Sequence, residues 1–540
     1  MNSKPVLSRL LRFRLLVISI LFTALLVPLQ SAAGEQIYKV RFGEQSFNDY
    51  FNVGFKSFRY TERGYNSYYG ANLLLVACTN SSETDCIDSL SYKVKNSDSW
   101  LNAELDTSWT FPATGVPLRG SDKGSNTQFV IKNRFPNPPD EANNYPSGGA
   151  TSMWKAKLGS DSPKFRLFLN FNLLGNNPDP ASEKIKWYQF TAQVVPVLLE
   201  GISDLDGTPS ATVLQNFGNV VDIKVRLRVK ILKQILTGWI HSRSVNPEIN
   251  YGKDPSSGDY VEILGAPLSV PTAEAQMTAS QYLSVWESPY MKARLNGYPV
   301  ALPDPKSLWG QWGSTDGIEK GELKMWNAYE PYFSKEAVAE RFMWKLVGQG
   351  NLNLEKFNSS ECITDGKIEG ILATNATQYS PTPPTYIESS QELSYQLAAP
   401  HFKSANQEFK GTYSLVVSEK LAHCIWGESL TNASARVSIL SSDGKSSVVT
   451  QTLTQKSGFY YFNINGFGFS APTIRIKLTQ DPVGAESTAS SEPVSAPSAT
   501  AKAEMLPKTA PMKTISCIKG KTTKKVTAVT PKCPAGYKKK

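Results

Sequence analysis

Residues Val221 to Ile231 read VDIKVRLRVKI, and this stretch decides the class of the fold. Six apolar residues alternate strictly with five charged ones over its eleven positions. A period of two places every apolar side chain on one face of a β-strand, whereas on an α-helix the same charges would point in all directions. The stretch therefore predicts a strand with one buried face and one charged face.

The charged face of this strand carries Lys224, Arg226, Arg228 and Lys230, spaced at about 6.6 Å, twice the rise per residue. One interpretation is a groove for an anionic ligand or a hairpin that inserts into a membrane. The other is a solvated sheet face whose cations meet acidic neighbours on adjacent strands, which also discourages aggregation. A pore needs uncharged positions facing lipid, and the neighbouring segments do not clearly supply them. We favour the second interpretation.

The same β pattern extends over most of the chain. Short runs rich in Tyr, Phe and Val are separated by Gly, Pro, Asn and Ser, and KFRLFLNFNLL places alternate apolar residues from Phe165 to Leu173 on one face. The sequence predicts a mainly β protein with a large β-rich domain over residues 34–375. A second unit, residues 391–480, has short alternating strands typical of a β-sandwich.

Residues 267–350 have a different composition and are predicted to form a Trp-rich, partly helical insertion in the large domain. The strongest helix prediction is SKEAVAERFMWKLVG, with Ser334 as the N-cap and Gly348 as the stop. Val338, Phe342 and Leu346 would then share one buried helix face. Further on, residues 376–390 hold three prolines and are predicted to be an extended linker, and residues 481–512 a Pro/Ala/Ser/Thr tether.

The N-terminus predicts export. Residues 1–33 contain four cations, an apolar run from Leu15 to Val27, and small residues at Ser31 and Ala33. This is typical of a signal peptide cleaved after Ala33. The run is shorter than the roughly 20 residues that span a bilayer, so we expect no stable transmembrane span after cleavage.

The net charge of +10 is unevenly distributed. The signal peptide holds four cations and no acid, and residues 513–540 hold nine lysines and no acid, which leaves −3 for the body between them. A nucleic-acid-binding protein usually presents its cations on a folded face together with arginines or aromatic residues. Nucleic acid is therefore not the expected partner, and an anionic cell-envelope polymer or acidic glycan is.

Six cysteines in an exported chain predict three disulfides. They group along the sequence as Cys78 with Cys86, Cys362 with Cys424, and Cys517 with Cys533, although six cysteines allow fifteen connectivities. The sequence contains no CxxC and only three histidines, so no metal site is predicted.

No motif predicts catalysis or a cofactor. The sequence lacks a nucleophile elbow, HExxH, a P-loop and GxGxxG. SDLDGT at Ser203 to Thr208 resembles a phosphatase loop, but Glu200 and Gly201 interrupt the apolar approach that such a loop needs. We interpret it as a polar turn, or at most a fragment of a calcium loop that lacks its final Glu. Trp309 and Trp312 could form a platform for stacking on sugars, or they could be buried core residues, which is the usual place for Trp in a large domain.

The C-terminal residues 513–540 predict a small basic microdomain. Ile515–Ile518 and Lys525–Val529 read as two strands around a turn at Gly520 to Thr522, closed by Cys517 and Cys533. A loop of this size gains about 3 kcal/mol from a disulfide. The expected polyanion-binding residues are Lys519, Lys521, Lys524, Lys525, Lys532, Lys538, Lys539 and Lys540. The other interpretation is a solubilising tail without a binding role.

This tail resembles that of a group of secreted actinobacterial surface proteins, which ends in CxKGKxTKKVTxVxPxCPxGYKKK. The match runs from Cys517 to Lys540 without departure, and TGWIHSRSVNPEI, AHCIWG and PTIRIKL are also similar to segments of that group. The resemblance implies a secreted protein of the cell wall or cell surface with β-rich domains. It implies no activity and no catalytic residue.

Together these features predict a non-enzymatic surface protein, attached by charge through its tail, whose β domains bind a ligand or a surface. Two alternatives stay open at this point: an extracellular carbohydrate-active enzyme with a cleft near the Trp-rich segment, and a structural envelope-layer protein.

Overall fold

A computed structural model describes residues 36–44, 58–60, 69–107, 131–133, 141–142, 144–146, 148, 152–157, 164–177, 184–202, 209–295, 299–300, 311–312, 322–349, 367–380, 382–404, 407–427, 433–440, 446–452, 454–469, 473–480, 513–519, 522–528 and 537–539. The predicted signal peptide, the predicted tether and SDLDGT lie outside these residues. The chain divides into two compact units, Met1–Pro482 and Val483–Lys540.

The described residues are mainly β, as predicted. The first strands are β1 (Tyr38–Phe42), β2 (Phe58–Tyr60), β3 (Tyr69–Leu74), β4 (Cys86–Val94), β5 (Leu101–Asn102), β6 (Glu104–Leu105), β7 (Ile131–Asn133), β8 (Ser152–Lys155), β9 (Phe165–Asn177), β10 (Lys186–Ile202) and β11 (Pro209–Val213). The next are β12 (Val220–Arg228), β13 (Gly238–Arg243), β14 (Val245–Asp254), β15 (Gly258–Ala266), β16 (Leu268–Met277), β17 (Gln311–Trp312), β18 (Ala339–Gln349), β19 (Ile368–Thr374), β20 (Gln378–Tyr379), β21 (Thr385–Ile387) and β22 (Glu392–Ala398).

The remaining strands are β23 (Phe402–Ser404), β24 (Gln407–Glu408), β25 (Lys410–Ser418), β26 (Ala433–Leu440), β27 (Ser446–Thr452), β28 (Thr454–Lys456), β29 (Phe459–Gly468), β30 (Thr473–Gln480), β31 (Lys513–Lys519), β32 (Thr522–Ala528) and β33 (Lys538–Lys539). The helices are α1 (Ala279–Trp286), α2 (Pro289–Leu295), α3 (Glu322–Tyr329) and α4 (Glu419–Trp426). Single 3-10 turns occur at Leu232–Gln234 and Glu330–Tyr332.

One long sheet runs through the first unit. Its neighbours follow the path β28, β29, β25, β19, β13, β18, β10, β9, β3, β2 and β7. Every pair on this path is antiparallel except β13 with β19. The first half of β18 also pairs with β16, and β16 pairs with β1. This unit also contains a five-stranded sheet, β14-β15-β12-β4-β5, and a six-stranded sheet, β20-β22-β30-β26-β27, in which β21 also pairs with β22. β23 and β24 form a separate pair.

Each smaller sheet packs on the long sheet through its own apolar core. The apolar face of VDIKVRLRVKI, including Ile223, Val225 and Leu227, packs in one core with Phe171 of β9 and Phe190 of β10. This confirms the buried face and, as far as Arg228, the strand that the alternation predicts. The six-stranded sheet buries a second core together with β19, β25 and β29.

The two cores lie on opposite faces of the same strands. In β19, Ile371 belongs to the first core and Leu372 to the second. In β25, Val416 belongs to the first core and Leu415 to the second. Because successive side chains of a strand point to opposite faces, the part of the long sheet formed by β13, β19, β25 and β29 is the shared middle layer of two sandwiches. The predicted C-terminal sandwich therefore exists, but one of its sheets continues into the large domain.

The structure differs from the predicted linker at residues 376–390. This segment contributes β20 and β21, which both pair with β22. Ala376, Thr377, Gln378 and Tyr379 are buried. Pro383 and Pro384 lie just before β21, and Pro is tolerated at the start of such a short strand.

The predicted helix between Ser334 and Gly348 is wrong, because residues 339–349 form β18. Val338 and Phe342, expected on a buried helix face, are 42% and 48% exposed. Met343 to Gly348 are all buried, where β18 lies between β10 and β13. A strand covered on both faces shows no alternation, so its apolar run cannot be distinguished from a helix by periodicity alone.

Helices are nevertheless present in the predicted insertion. α1, α2 and α3 lie between β16 and β18 and pack against β1 and β16 in a third core. Thr278 caps α1, since its side chain accepts a hydrogen bond from the Gln281 N–H and the Gln281 side chain accepts one from the Thr278 N–H. This reciprocal pair satisfies two N–H groups that the helix itself leaves without partners. The described helices of the insertion are thus Ala279–Trp286, Pro289–Leu295 and Glu322–Tyr329.

Aromatic rings lie over glycines directly opposite them in neighbouring strands. Phe190 is the register partner of Gly348, and a Cβ added at Gly348 would overlap the Phe190 ring. The same relationship recurs in four further pairs: Trp187 with Gly175, Trp239 with Gly370, Tyr260 with Gly252, and Phe467 with Gly411. These glycines leave room for a ring to lie flat on the sheet.

Candidate functional site

The second unit contains the predicted basic hairpin. β31 and β32 pair antiparallel from Lys513↔Ala528 to Lys519↔Thr522, which leaves two residues for the connection. A third strand, β33, which the sequence did not predict, pairs with the other edge of β31. The predicted hairpin in this basic segment is therefore confirmed and extended by one strand.

The register brings lysines of three strands into neighbouring rows. Lys524 of β32 and Lys539 of β33 both stand opposite Cys517, one on each side. Lys538 stands opposite Ile518, and Lys525 stands opposite Ser516. With strands about 4.8 Å apart, the backbones at Lys524 and Lys539 are separated by about 10 Å. Of the other expected polyanion-binding residues, Lys519 ends β31, whereas Lys521, Lys532 and Lys540 lie outside the described residues.

The cysteines are partly described. Cys78 and Cys86 form a disulfide with a Cα–Cα distance of 5.3 Å, as predicted. Cys424 is also disulfide-bonded, and Cys362 lies outside the described residues. Cys517 lies in β31, while Cys533 lies outside the described residues, so this pair stays a prediction.

The Cys78–Cys86 loop holds the end of β12. Asp85 is fully buried, and its Oδ1 accepts hydrogen bonds of 2.8 Å from the N–H groups of Lys230 and Leu232. Arg228 Nη1 donates to the Asn80 carbonyl at 2.5 Å. The loop thus supplies hydrogen bonds that the chain needs where it leaves the strand.

The four cations of the charged β12 face, of which Lys230 lies two residues beyond the end of the strand, all meet carboxylates. Lys224 lies 3.7 Å from Glu262, and Arg228 Nη2 lies 2.6 Å from Asp88 Oδ1. Arg226 Nε lies 3.1 Å from Asp88 Oδ2, an ion pair that does not have hydrogen-bond geometry, and Lys230 pairs with Glu141. This confirms the interpretation of a sheet face with acidic neighbours.

Two aromatic rings complete that face. The Lys93 and Lys224 ammonium groups lie 4.8 and 5.0 Å from the centroid of the Trp100 ring. The Arg226 guanidinium carbon lies 3.7 Å from the centroid of the Tyr260 ring. These cation–π contacts add to the ion pairs. The cations of this face are thus engaged by groups of the protein itself.

The Trp-rich segment is mostly core where the structure describes it. Trp286 and Trp326 are 6% and 3% exposed and pack in the third core. The backbone of Trp312, in β17, pairs in parallel with Phe42 of β1. Trp309 lies outside the described residues. The two tryptophans near the expected sugar platform are therefore buried, and stacking by Trp309 and Trp312 stays a prediction.

A buried charged cluster, which the sequence reasoning missed, lies at the junction of four segments. Arg243 of β13 and Lys345 of β18 are direct register partners, so two cations face each other in neighbouring strands. The Glu44 carboxylate bridges them, with Oε1 2.7 Å from Arg243 Nε and Oε2 3.4 Å from Lys345 Nζ. The side chains of Glu44 and Arg243 are 0% exposed, and that of Lys345 is 7% exposed.

The Arg243 guanidinium also binds backbone carbonyls. Nη1 donates to the Thr374 carbonyl at 2.9 Å and to the Ala376 carbonyl at 2.5 Å. Nη2 donates to the Thr377 carbonyl at 3.3 Å. The fixed, planar arrangement of donors in arginine suits this arrangement of several acceptors. The Arg243 side chain therefore ties Glu44, two residues after β1, to the end of β19 and to the connection between β19 and β20.

His241 lies beside this cluster and is uncharged. Its ring stacks on Tyr379, with centroids 5.3 Å apart, and Nε2 lies 3.4 Å from the Thr382 carbonyl. Burial lowers the pKa of His241 to about 4, the Thr382 carbonyl partly offsets this, and the positive charge of Arg243 lowers it further. At neutral pH the imidazole is therefore a neutral group stacked on an aromatic ring.

These buried groups fit a structural role. The atoms of Glu44 and Arg243 are shielded from solvent, so a dissolved substrate cannot reach them in this conformation. Within the described ranges, no group of three or more His, Cys, Asp or Glu residues could hold a metal ion.

The one sequence signal of this buried cluster was the polar run HSRS, residues 241–244, which has no alternation and is entirely buried. It gave no indication of the distant Glu44.

Comparisons with known proteins leave the family open. No model of a known protein family matches the chain, and no curated protein has a matching sequence. None of the helices in the described part of the chain is both long enough and apolar enough to cross a membrane. The basic sheet of the second unit is accordingly the candidate functional site, on the evidence of its own residues.

Proposed function

We propose that the protein is an exported, non-enzymatic protein of the cell surface, held there by binding of its basic C-terminal sheet to an anionic envelope polymer or acidic glycan. Residues 34–512 form the outward part, whose β sheets bind a ligand or another surface. The C-terminal lysines bind phosphate or carboxylate groups along the polymer as point charges.

The observation that carries this proposal is the contrast between two sets of cations. The cations of the β12 face are each within ion-pair distance of a carboxylate of the same chain. Residues 513–540 contain nine lysines and no Asp or Glu, so no carboxylate side chain within that segment can neutralise them. A segment of one sign attracts polymers of the opposite sign.

The three-stranded register supports the same proposal. Lys524, Lys525, Lys538 and Lys539 occupy strand positions, and a sheet keeps their backbones at fixed spacings. A tail that only improves solubility needs no such arrangement. Ordering the backbone before binding reduces the entropy lost on binding.

The proposal is tested on cells that produce the full chain and on cells that produce a chain ending at residue 512. Exposed ion pairs weaken as salt shortens the Debye length below about 10 Å. We expect washing with moderate salt to release the full chain from cells, and the truncated chain to appear in the medium without washing. Retention of the full chain in about 1 M salt, or equal retention of the truncated chain, would contradict the proposal.

A further inference from the structure

The six-stranded sheet ends at β27, whose sequence is SSVVTQT. Within the part of the chain that the structure describes, β27 pairs with β26 alone, so one of its edges has no strand beside it. The register with β26 is regular from Ser434↔Thr452 to Leu440↔Ser446. A long, regular edge strand exposes a row of backbone N–H and C=O groups that can pair with another strand.

The other long edges of the described sheets carry features that oppose such pairing. β14 contains Pro247 and a register shift between Val245 and Glu248. β11 begins at Pro209, and its partner strand β10 has a register shift. β32 contains Lys524 and Lys525. Prolines, bulges and edge lysines are the usual devices against edge-to-edge association.

β29 has a similar device. Gly466 has a φ of 84°, and the register with β25 shifts between Gly411 and Thr412. β27 has none of these features: its seven residues include no charge, no proline and no glycine, and its register contains no shift. Among the described edge strands of five or more residues, β27 alone combines a regular register with an uncharged sequence.

We propose that β27 pairs antiparallel with β27 of a second copy of this chain, so that two six-stranded sheets become continuous across a two-fold axis. The sequence is suited to pairing with itself. With the axis at Val449, all seven residues find partners: Ser446 opposite Thr452, Ser447 opposite Gln451, Val448 opposite Thr450, and Val449 opposite its own copy.

This self-pairing places β-branched residues opposite one another at the centre and no like charges opposite each other. Such cross-strand pairs stabilise a sheet, whereas like charges directly opposite destabilise it. An isologous contact of this kind uses the same edge on both copies and therefore closes as a dimer. The interaction does not involve the basic C-terminal sheet, so it stands or falls independently of the proposed function.

The register of the dimer is tested with two variants of the full chain, Val448→Cys and Thr450→Cys, each of which carries one additional cysteine. In the dimer, position 448 of one copy faces position 450 of the other at about 5 Å, within reach of a disulfide. Two copies of position 448 are about 8 Å apart, beyond its usual reach. Both residues stand opposite Ser438 and Arg436 in the β26 register, not opposite the buried Val437.

We expect a mixture of the two variants to form a covalent dimer on a non-reducing gel, and each variant alone to stay mainly monomeric. A mixture that cross-links no more than either variant alone would overturn the proposal. If residues 483–512 of the same chain covered the β27 edge, the mixture would likewise fail to cross-link. That outcome would refute the dimer equally.

The dimer itself is tested by light scattering of the full chain. We expect the measured mass to rise towards twice the chain mass with increasing concentration. The double variant Val448→Lys/Thr450→Lys should stay monomeric, because lysines then face lysines across the axis. The control Ser81→Lys/Ser99→Lys adds the same charge at exposed positions and should still dimerise. A monomer at every concentration, or dimerisation of the β27 variant equal to that of the control, would overturn the proposal.

Mixing two oppositely charged variants gives a test in which the expected result is the appearance of a dimer, not its loss. The variant Val448→Glu/Thr450→Glu should also be monomeric alone. Mixed with the lysine variant, it should form a heterodimer, because opposite charges then face each other. Failure of this mixture to dimerise while both variants melt cooperatively would likewise overturn the proposal.

Discussion

Glu44 and Arg243 form an ion pair in which neither side chain has any exposed surface, although 199 residues separate them in the sequence. The same carboxylate reaches Lys345, which stands directly opposite Arg243 in the next strand. Glu44 is thus the anion that allows two cations to face each other inside the protein. It also joins the segment that follows β1 to the long sheet.

Glu44→Gln should therefore destabilise the protein strongly. The variant keeps the size of the side chain but leaves Arg243 and Lys345 facing each other without that negative charge. Removing one partner of a buried ion pair costs about 3 to 5 kcal/mol, and we expect a loss in this range in urea unfolding. The matched control is Glu408→Gln, which removes the exposed partner of Lys410 and should cost less than about 1 kcal/mol. Equal losses for the two variants would contradict the role of Glu44.

His241 should make the protein less stable in mild acid. Because burial depresses its pKa from 6.5 to about 4, the folded state keeps the imidazole neutral while the unfolded state binds a proton. Its unfavourable contribution is negligible well above pH 6.5 and grows as the pH falls from about 6.5 towards 4, reaching roughly 3 kcal/mol. The free energy of unfolding should therefore fall over this interval.

His241→Gln should flatten this dependence, measured as the difference in unfolding free energy between about pH 4.5 and pH 7. The control His401→Gln changes an exposed histidine and should leave the slope as it is. A slope that is unchanged by His241→Gln would show that other groups govern stability in mild acid.

Asp85→Ala should loosen the end of β12. The substitution removes the acceptor of the Lys230 and Leu232 N–H groups, and for the buried Leu232 N–H this costs about 1 to 3 kcal/mol. Asp85 also has a φ of 58°, a conformation that Asn tolerates better than Ala. Asp85→Asn keeps both the acceptor and the conformation, so it should recover most of the stability in thermal melts. If Asn were as damaging as Ala, the acceptor role would be refuted.

Gly348→Ala should be costly because its Cβ would occupy the space of the Phe190 ring. Overpacking of this kind usually costs about 1 to 3 kcal/mol. In the background of Phe190→Leu the space is larger, so the same Gly348→Ala substitution should cost less. Urea unfolding of the four proteins of this double-mutant cycle measures the coupling. Additive effects would mean that the ring and the glycine do not compete for space.

Local patterns predicted the local structure well. The first eight residues of VDIKVRLRVKI lie in β12 because their alternation matches a sheet with one covered face. The hairpin of the basic tail also forms where its turn residues indicated. Both predictions depend only on residues that are close in sequence, where periodicity and turn chemistry are informative.

Such local patterns could not predict which distant strands and residues contact one another. The segment RFMWKLVG contains good helix formers, yet it belongs to β18, whose second half lies between β10 and β13. Tertiary packing overrides intrinsic propensity there. The Glu44 cluster joins residues 199 and 301 positions apart, and no local signal marks Glu44 as the partner of Arg243 or Lys345. The sharing of one sheet by two cores is likewise visible only once the strands are paired.

The most direct measurement of the central claim is the binding of the purified full chain to phosphate-substituted cellulose and to unmodified cellulose at rising salt. The variant Lys524→Gln/Lys525→Gln/Lys538→Gln/Lys539→Gln removes four charges from the basic sheet. The control removes four charges from exposed lysines of the body, at Lys95, Lys253, Lys324 and Lys335. We predict that the full chain and the control variant bind the phosphate support and dissociate as the salt concentration rises. The sheet variant should bind the same support at least about tenfold more weakly. Equal binding by the two variants, or equal binding of the full chain to both supports, would contradict the account.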